Sequence, residues 1–542
     1  FNANIPDHVN SYVGCAGFEA RYSSKCSDEI RSQSGCQYLA SVVMVPGDHA
    51  IVEDDTDADR ITDAEDNCPN IANAGQEDTD DDGVGDVCDE RVWSNGETLK
   101  TTSGRQYSLS FSSNTSGQAI VLWQQIEANI PKGEIWYSFY SAGEGWSQAS
   151  RIVANNPKHA SSPRVVLNEQ GKATALWLET VFQRDADGER ELNLPGRIVI
   201  THFDPVTKNW EPSQPFTNRD SKYKGIRLTS NKTGHMIVTW NEADAQQCNL
   251  RVRSSIDGQR WTPEENLVIN VPSTFSCLAK VAIDSQGRGL VVWEHFRPNH
   301  QTIIEYRQIN AGQALRGNNG VIETERPPYP PYLAMNSSGD AVIYWNENKP
   351  GPDPRNPGVN RDIVAVRYKL DQGLLGEAII VESHPQDTAP GAAIVDSRGI
   401  PYILYDQRVA AGNNSTYDVG AASFGEEVWS SLSLVHPATE VGFNDPHILL
   451  DAAENKIVLW EQLARGDGFE ASAQSLILGP DYQPQGQPVT IDLGLSGMFS
   501  IEDFELGLGL GNQAIAAWIV RTGRDEGGQH IEESHIVTAH FQ

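Results

Sequence analysis

One short apolar motif recurs along most of the chain and constrains its fold more than any other feature. In each copy a run of apolar residues leads to an aromatic residue, as in GQAIVLW and GRGLVVW. The aromatic residues are Trp123, Trp177, Trp240, Trp293, Trp345, Tyr405, Trp460 and Trp518. Successive copies are 54, 63, 53, 52, 60, 55 and 58 residues apart. A repeat of this length that contains short strands is typical of a propeller or a solenoid.

Each repeat contains the pattern of four strands. An alternating apolar segment such as PRVVLN comes first, and a turn of the form Asn/Asp-x-x-Gly follows it in six of the eight units. These turns span residues 114–117, 168–171, 231–234, 284–287, 336–339 and 396–399. The glycine supplies the positive φ that a hairpin requires. The strand with the aromatic residue, a third strand and a short fourth strand follow, which together predict one propeller blade.

The tryptophans recur at two fixed positions of the repeat. Seven of the 13 end the second strand of a unit, and five open a fourth strand. These five are Trp93, Trp146, Trp210, Trp261 and Trp429. Only Trp136 lies at neither position. Large aromatic residues at a fixed register indicate the core between blades rather than a ligand site.

The two ends of the repeat array complement each other. The last unit, around Trp518, supplies three strands, whereas residues 92–99 (VWSNGETL) have the pattern of a fourth strand with no blade before it. We therefore predict that the N-terminal strand completes the last blade, which covers edges that an open array would expose. The sequence predicts an all-β, eight-bladed propeller over residues 91–542. Seven blades would result if the irregular unit around Tyr405 did not form one.

The charge of the chain is concentrated in one segment. The chain carries 41 basic and 73 acidic residues, a net charge of −32. Between Glu53 and Glu90 there are 16 acidic residues and one basic residue, Arg60. Such a block is usually a solvated tail, but here the aspartates alternate. Alternating carboxylates in a tight loop direct several oxygens at one centre, which favours a hard cation, and calcium in particular.

The stretch DTDADRITDAEDNCPNIANAGQEDTDDDGVGDVCD resembles a thrombospondin type 3 repeat in its NCP motif, its Asn and Gln spacer and its closing DxDxDGxGDxCD. The resemblance implies two or more calcium ions and an extracellular location. A first ion would be bound by Asp55, Asp57, Asp59, Asp63, Asp66 and the carbonyl of Ile61. A second would be bound by Asp78, Asp80, Asp82, Asp86, Asp89 and the carbonyl of Val84. The family has Gly where this chain has Arg60, which predicts a weaker or differently bent first half. A stiff spacer that calcium folds is the expected role.

The seven cysteines indicate disulfides in an oxidising compartment, because they show neither CxxC spacing nor zinc-finger spacing. The resemblance implies a bond between Cys68 and Cys88, and we also expect one between Cys248 and Cys277. The other three, at positions 15, 26 and 36, leave one cysteine over. We expect three parts: a cysteine-containing segment at 1–50, the calcium segment at 51–90 and the propeller at 91–542.

The propeller pattern resembles the repeat propellers of secreted and surface proteins of bacteria and, more distantly, sialidase-type folds. The sialidase Asp-box has one approximate match, SSIDGQRW at residues 254–261, which is one residue short of the family spacing. Since this box is a structural turn, the match does not predict a sialidase. The resemblance implies a secreted or surface-exposed bacterial protein.

A ring of acidic residues follows the recurring aromatic residues, on the face where the connecting loops vary in length. Variable loops on a rigid scaffold are where binding sites arise. The candidate ligand-binding residues are Glu179, Glu242, Glu294, His295, His300, Glu347, Asp406, Arg408 and Glu461. Such a ring would favour cations or sugar hydroxyls. The alternative is an acidic, solvated rim without a binding role.

The sequence favours binding over catalysis. The acidic charge argues against nucleic acid or anionic membrane as the main partner, and no apolar run is long enough to span a membrane. There is no Gly-rich phosphate loop, GxSxG or HExxH motif. We expect an extracellular, calcium-stabilised propeller that acts as a non-catalytic binding, adhesion or surface-assembly protein for a glycan, a protein or neighbouring subunits. The alternative is a polysaccharide-degrading enzyme with its site on the channel face: a lyase that uses residues such as His295, Arg297, His300 and Arg408, or a glycosidase that uses a pair of carboxylates.

Overall fold

The computed structural model describes most of the propeller and part of the acidic segment. The residues described are 55–57, 59–70, 72–76, 93–102, 104–127, 130–153, 156–181, 195–243, 247–272, 278–297, 302–316, 319–324, 326–349, 360–383, 387–408, 417–425, 428–433, 441–465, 469–480, 482–495, 499–510, 513–526 and 529–541. The chain divides into two compact units, Phe1–Glu90 and Arg91–Gln542. The described residues of the first unit form turns and bends, and those of the second form antiparallel β-sheets.

The strands of the second unit fall into eight sheets, here called blades 1 to 8. The strand β1 (Glu97–Thr102) precedes blade 1. Blade 1 contains β2 (Arg105–Asn114), β3 (Gln118–Glu127), β4 (Ile130–Ser141), β5 (Gly145–Trp146) and β6 (Ser150–Arg151). Blade 2 contains β7 (His159–Leu167), β8 (Ala173–Thr180), β9 (Gly196–Asp204), β10 (Asn209–Trp210) and β11 (Gln214–Pro215). Blade 3 contains β12 (Lys222–Ser230), β13 (Met236–Ala243), β14 (Gln247–Ser255) and β15 (Glu265–Pro272). Blade 4 contains β16 (Ala279–Ile283), β17 (Arg288–Phe296), β18 (Thr302–Asn310) and β19 (Gly320–Ile322).

The second half of the array repeats this arrangement. Blade 5 contains β20 (Tyr332–Met335), β21 (Asp340–Asn348), β22 (Arg361–Lys369) and β23 (Gly373–Glu382). Blade 6 contains β24 (Thr388–Val395), β25 (Pro401–Arg408), β26 (Tyr417–Gly425) and β27 (Val428–Ser433). Blade 7 contains β28 (Val441–Leu450), β29 (Lys456–Arg465), β30 (Phe469–Leu478) and β31 (Val489–Ile491). Blade 8 contains β32 (Phe499–Leu508), β33 (Ala514–Glu526) and β34 (Gln529–Phe541), and β1 is its fourth strand.

The blades form a closed ring. The first strand of every blade contacts the first strand of the next, and the ring closes where β32 contacts β2. The first strands therefore surround the centre, and the fourth strands lie at the outside. The prediction of an eight-bladed, all-β propeller is confirmed, and the irregular unit around Tyr405 is a four-stranded sheet like the others.

The N-terminal strand closes the last blade, as predicted. Glu97 pairs with Thr538 and Thr102 with Ser534, so that β1 is antiparallel to β34. The paired strand is offset from the predicted residues 92–99, because Trp93 makes only an isolated bridge, to Phe541. Trp93 nevertheless packs against Phe541 with ring centroids 5.3 Å apart.

The recurring aromatic residues lie in the core between blades. All seven second-strand tryptophans and Tyr405 are at most 2% exposed. One cluster joins Ile120 and Leu122 of blade 1 to Val165 and Trp177 of blade 2, and further clusters join other neighbouring blades in the same way. The expectation that the tryptophans end their strands is wrong in detail: β3 continues to Glu127, because the second and third strands pair beyond the aromatic residue.

The short turns between first and second strands explain the Asn/Asp-x-x-Gly motif. At Asn336, the side-chain Oδ1 accepts hydrogen bonds from the N–H groups of Ser338 (2.9 Å) and Asp340 (3.0 Å), and Gly339 has φ +84°. Blade 7 uses the same turn without glycine: Asp451 accepts from the Asn455 N–H, and Glu454 takes the positive φ, +66°. The Asn/Asp-x-x-Gly motif did not identify this turn, because Glu454 stands where the motif has glycine.

Candidate functional site

The first predicted aspartate set forms a compact loop. Carboxylate oxygens of Asp55, Asp57 and Asp59 all lie within 4.8 Å of one another. The loop is curled by backbone donors: the Asp59 N–H lies 3.2 Å from both Asp55 Oδ1 and Asp57 Oδ1, and the Ile61 N–H donates to Asp59 Oδ1 at 2.9 Å. Asp63 and Asp66 lie outside this group of three. The structure thus brings together three of the five predicted carboxylates of the first set.

Two carboxylate oxygens of this segment are buried without a donor. Asp57 Oδ2 and Asp66 Oδ2 have no hydrogen-bond partner among the described residues. The other oxygen of Asp66 accepts from the Cys68 N–H at 2.7 Å and from Gln76 Nε2 at 2.8 Å. Loss of hydration raises the pKa of Asp57, and the negative charges of Asp59, Asp66 and Asp55 raise it further. A cation with oxygen ligands would satisfy these atoms and offset this repulsion.

Asp63 is held by a different contact. Thr56 donates to it twice, from its N–H to Oδ1 and from its hydroxyl to Oδ2, both at 2.7 Å. These two hydrogen bonds lower the pKa of Asp63. A carboxylate oxygen retains a second lone pair beside one hydrogen bond, so Asp63 remains chemically able to ligate a cation.

The Asn and Gln spacer positions the aspartates. The Asn73 N–H donates to Asp59 Oδ2 at 2.7 Å, and Asn73 Nδ2 donates to Asn67 Oδ1 at the same distance. Gln76 Oε1 accepts from the Asn67 N–H at 2.9 Å, while its Nε2 binds Asp66. Sequence reasoning treated these residues only as part of a family pattern. Their hydrogen bonds fix the orientation of two of the predicted ligands, as groups behind a metal site commonly do.

Arg60, the departure from the family pattern, has φ +88°. Its N–H donates to Asp55 Oδ2 at 3.0 Å. A residue with a Cβ thus stands here in a backbone region that favours glycine. The backbone of this turn therefore carries strain, and the weaker or differently bent first half stays a prediction.

Several predicted residues lie outside the described part of the chain. These are Asp78, Asp80, Asp82, Val84, Asp86, Asp89, Cys88, Cys277 and His300. Cys68 and Cys248 are each disulfide-bonded. The second calcium set and the identities of the two disulfide partners stay predictions.

The acidic residues on the propeller are not equivalent, because neighbouring residues of a strand face opposite sides of the sheet. Glu179, Glu242 and Glu347 lie two positions after a tryptophan and so face the same side as it. Trp177 Nε1 donates to Glu179 at 3.3 Å, and Trp345 Nε1 donates to Glu347 at 2.9 Å. All three carboxylates belong to residues that are at most 9% exposed.

These three carboxylates hold the segment that enters their own blade. Two residues that precede β7 bind Glu179: Lys158 Nζ donates to its Oε2 at 3.1 Å, and Asn156 Nδ2 donates to its Oε1 at 2.9 Å. Arg219, which precedes β12, forms an ion pair with Glu242. Arg326, which precedes β20, lies 3.2 Å from Glu347 Oε2. We call these contacts the entry clamps of blades 2, 3 and 5.

Glu294 and His295 differ from the clamps. His295 occupies the position two after Trp293, and its Nδ1 lies 3.0 Å from Glu305 Oε1. Glu294 faces the other side of β17 and is partly buried, and this burial raises its pKa to about 7. The two side chains therefore point to opposite faces of one sheet.

The other predicted residues are spread over further blades. Asp406 and Arg408 lie on β25, where the Arg408 N–H donates to the Asp387 carbonyl at 2.9 Å. Glu461, on β29, is buried. Arg297 pairs with Glu323 at 3.4 Å. Asp406 and Arg408 thus belong to blade 6 and Glu461 to blade 7, whereas Arg297 follows the same blade 4 strand as His295.

The Asp-box-like segment forms a tight turn in blade 3. Asp257 Oδ1 accepts from the N–H groups of Gln259 (2.9 Å) and Arg260 (2.8 Å), and Trp261 Nε1 donates to the Gly258 carbonyl at 2.9 Å. The turn borders a groove of about 270 Å³ toward blade 2, whose polar lining includes Glu211. The groove lies among third and fourth strands, away from the centre of the ring.

Residues 46–76 match the sequence model of the thrombospondin type 3 repeat. The resemblance is confirmed for this segment. The match includes the first aspartate set and ends before Asp78. Thrombospondin type 3 repeats are calcium-binding extracellular modules, and the described residues of this one contain an acidic cluster. No curated protein matches the chain significantly in sequence.

Solved propeller structures are similar to this chain in fold. An ulvan lyase of polysaccharide lyase family PL25 is 12% identical, with 82% of this chain and 95% of that chain covered and a TM-score of 0.43. The propeller domain of the Trilobed protease from Pyrococcus furiosus is 10% identical, with 71% and 95% covered and a TM-score of 0.38. The lectin BP39L from Burkholderia pseudomallei is 11% identical, with 73% and 100% covered and a TM-score of 0.38. Likeness at this level concerns the fold alone.

Within the described residues, no helix is long and apolar enough to cross a membrane.

Proposed function

We propose that this chain is an extracellular, calcium-stabilised propeller that binds a glycan or protein ligand without turning it over, as an adhesion or surface-assembly protein. In this proposal residues 51–90 are a calcium-folded spacer that displays the propeller at 91–542. Residues 1–50 form a disulfide-bonded segment that attaches the spacer to another body or subunit. The ligand contacts the loop face that follows the recurring aromatic residues.

The buried, donor-free oxygens of Asp57 and Asp66 support calcium binding. The residues present fit the ion: the cluster offers carboxylate oxygens, which calcium prefers, and no sulfur or nitrogen ligand is required. When bound, calcium would supply the positive charge that lets these aspartates approach one another. Because an acidic segment with few apolar residues buries little surface, ion binding would provide much of its folding free energy.

Asp57→Asn tests the calcium proposal against the charge-matched control Glu65→Gln. Glu65 is exposed in the same segment. Calcium titration by calorimetry should show at least one site lost or weakened about tenfold or more in Asp57→Asn, and unchanged binding in Glu65→Gln. Equal binding by both variants would contradict a site at Asp57.

The observation that carries the non-catalytic proposal is the set of entry clamps. Glu179, Glu242 and Glu347 are carboxylates predicted on the loop face, and each is already neutralised or hydrogen-bonded by its own blade. A general acid or base must exchange its proton with a substrate. Carboxylates held by arginine, lysine or tryptophan donors are poorly suited to that role, whereas a rigid clamped face suits binding.

One observation favours the alternative, a polysaccharide lyase or glycosidase. The pKa of Glu294, about 7, is suited to proton transfer at neutral pH. Its neighbour His295 cannot act on the same atom from this geometry, because it faces the other side of β17. A catalytic pair would need a partner for Glu294 from another strand.

Binding and turnover can be measured in one experiment. The calcium-loaded chain is incubated with uronate-containing, sulfated and neutral polysaccharides. Retention on the immobilised polysaccharide, new reducing ends and the ultraviolet absorbance of unsaturated uronates are then followed. We expect retention of at least one polymer without soluble products. Products that disappear in Glu294→Gln would instead establish the enzyme.

A further inference from the structure

Two arginines of the innermost strands lie side by side at the centre of the propeller. Arg164 lies on β7 and Arg227 on β12, the first strands of blades 2 and 3, and these strands contact each other. In both strands the arginine follows a two-residue β-bulge whose first residue has a positive φ, +55° at Ser162 and +58° at Gly225. A bulge redirects neighbouring side chains, so the two blades present their arginines in the same way.

The two guanidinium groups share one acceptor. Arg164 Nε donates to the Ile226 carbonyl at 3.1 Å, and Arg227 Nη1 lies 3.4 Å from the same oxygen. Arg164 Nη1 also donates to the Pro163 carbonyl at 2.6 Å. No described carboxylate forms an ion pair with either arginine. Two half-buried positive charges are thus held together by neutral carbonyl groups.

Two carboxylates of β32 act on this pair, although neither forms an ion pair with it among the described residues. Burial lowers the pKa of both arginines, and the charge of Arg164 lowers that of Arg227 further. The negative charge of Glu505 on β32 raises the pKa of both arginines, and that of Asp503 raises the pKa of Arg164, so these acids offset part of the repulsion. Asp503 Oδ2 also accepts from the Leu109 N–H at 3.0 Å. Like charges in a partly buried site repel strongly unless a counter-charge is present.

A third basic residue lies at the equivalent position of blade 4. Lys280 lies on β16, and like both arginines it is opposite the residue that precedes its blade's tryptophan. Its Nζ lies 4.8 Å from the ring centroid of Tyr332 in blade 5. Three consecutive blades therefore present a cation at one register in a chain whose net charge is −32.

We propose that Arg164 and Arg227 bind an anionic oxygen group, a carboxylate or sulfate of an acidic polysaccharide, on the inner wall of the ring. Guanidinium groups bind such oxyanions through paired, charge-assisted hydrogen bonds. Arg164, Arg227 and Lys280, at one register of three consecutive blades, suit a polymer because an acidic polysaccharide carries its charges at regular spacing. That the ligand is a polysaccharide rests on the function proposed above. The anion site formed by the two arginines does not depend on that function.

The first test uses inorganic sulfate as the probe. Thermal unfolding of the full chain is followed as sulfate replaces chloride at constant ionic strength, in the wild type, Arg227→Gln, Arg227→Lys and Arg260→Gln. Arg260 is the control because its side chain is 83% exposed. Sulfate should raise the unfolding midpoint of the wild type and of Arg260→Gln by several degrees.

The variants separate an anion site from a structural role. Without sulfate, Arg227→Gln should melt at or above the wild-type midpoint, because it removes one of two repelling charges. Its response to sulfate should fall to the general stabilisation that sulfate gives to folded proteins. Arg227→Lys keeps the charge and should retain part of the response. A sulfate response in Arg227→Gln equal to that of the wild type overturns the site.

The second test measures binding of oligosaccharides by calorimetry. A uronate or sulfated oligosaccharide should bind the wild type and Arg260→Gln, and should bind Arg227→Gln about tenfold more weakly or worse, whereas a neutral dextran oligosaccharide should not bind. Equal binding of the acidic oligosaccharide by Arg227→Gln would overturn the arginine site and leave the binding function standing. A sulfate response without any oligosaccharide binding would overturn the polysaccharide as ligand and leave the anion site standing.

Discussion

At the residue scale, Arg60 occupies a backbone conformation that its side chain disfavours. A residue with a Cβ in the left-handed region commonly costs about 1–3 kcal/mol. The φ of +88° places Arg60 there, directly after the three aspartates whose oxygens converge. The strain persists because the N–H of Arg60 hydrogen-bonds Asp55 and the neighbouring aspartates fix both sides of the turn. The sequence identified the departure from glycine, and the structure shows the backbone conformation that Arg60 adopts there.

Arg60→Gly should therefore bind calcium more tightly, by roughly 3- to 30-fold, which corresponds to about 0.7–2 kcal/mol of relieved strain. The measurement is a calcium titration of the full chain by calorimetry. Arg60→Ala is the matched control, because it removes the positive charge and keeps the Cβ. An equal gain in both variants would show that charge, rather than backbone strain, limits the affinity.

The raised pKa of Glu294 predicts that the stability of the folded chain depends on pH. Burial raises its pKa from 4.5 to about 7 in the folded chain. Since the folded state then holds a proton that the unfolded state releases, the wild type should lose stability as pH rises from about 4.5 to 7. After allowance for partial exposure, the loss is about 2 kcal/mol. Glu294→Gln should remove this loss and be the more stable protein above the folded-state pKa.

The check is denaturant unfolding of wild type and variant at several pH values on both sides of this range. Glu323→Gln, whose side chain is 66% exposed, should follow the wild-type profile. If the free energies of unfolding of the wild type and Glu294→Gln changed with pH in parallel, ionisation of Glu294 would not destabilise the folded chain.

At the scale of the blade, the position two residues after the tryptophan has a recurring structural task. In blades 2, 3 and 5 it carries a glutamate that binds the segment entering the same blade. The regular placement of these acids was visible in the sequence. Their partners were not, because Lys158, Arg219 and Arg326 lie about 20 residues earlier, in connections whose sequences do not repeat.

Glu242→Gln should lower the free energy of unfolding by about 2 kcal/mol, because Arg219 and Arg251 would lose the carboxylate that both contact. Denaturant unfolding at neutral pH measures the change. Glu144→Gln, in an exposed ion pair with Lys208, should cost at most about 0.5 kcal/mol. Unchanged stability together with lost ligand binding would assign Glu242 to ligand recognition instead.

At the scale of the whole propeller, the ring depends on a strand that comes from the opposite end of the repeat array. Leu99 on β1 packs against a cluster that contains Leu109 and Trp123 of blade 1 and Ala517 and Ile519 of blade 8. β1 therefore joins the last blade to the first, and covers what would otherwise be a free sheet edge.

Leu99→Asp should destabilise the entire propeller by more than about 2 kcal/mol, because it places a charge in an apolar cluster and loosens the closing strand. Thr98→Asp is the matched control, since Thr98 is exposed on the same strand. Thermal unfolding and limited proteolysis should show one cooperative loss for Leu99→Asp and little change for Thr98→Asp. Proteolysis confined to the N-terminal residues would mean that the ring is stable without β1.

The sequence alone determined the architecture, because the blade pattern is local and repeated. Each blade is an antiparallel meander whose turns, alternation and aromatic register lie within about 60 consecutive residues, so eight copies and the unmatched strand at 92–99 predicted the ring. The aspartate spacing likewise predicted an oxygen-rich loop. Glu454 escaped the turn motif because a non-glycine residue adopts the same positive φ there.

Only the tertiary structure decided which charged residues are free to act. The acids that follow the recurring aromatic residues look alike in the sequence. Strand alternation and distant loop partners nevertheless make Glu242 a clamp and leave Glu294 partly buried with a raised pKa.

The same holds for Arg164 and Arg227, which lie in different repeats of the sequence and share the Ile226 carbonyl in the fold. Their meeting depends on how neighbouring blades pack around the centre, and no local pattern encodes that distance. Local periodicity sets strands and turns, whereas the electrostatic state of a side chain depends on the groups that the closed ring brings next to it.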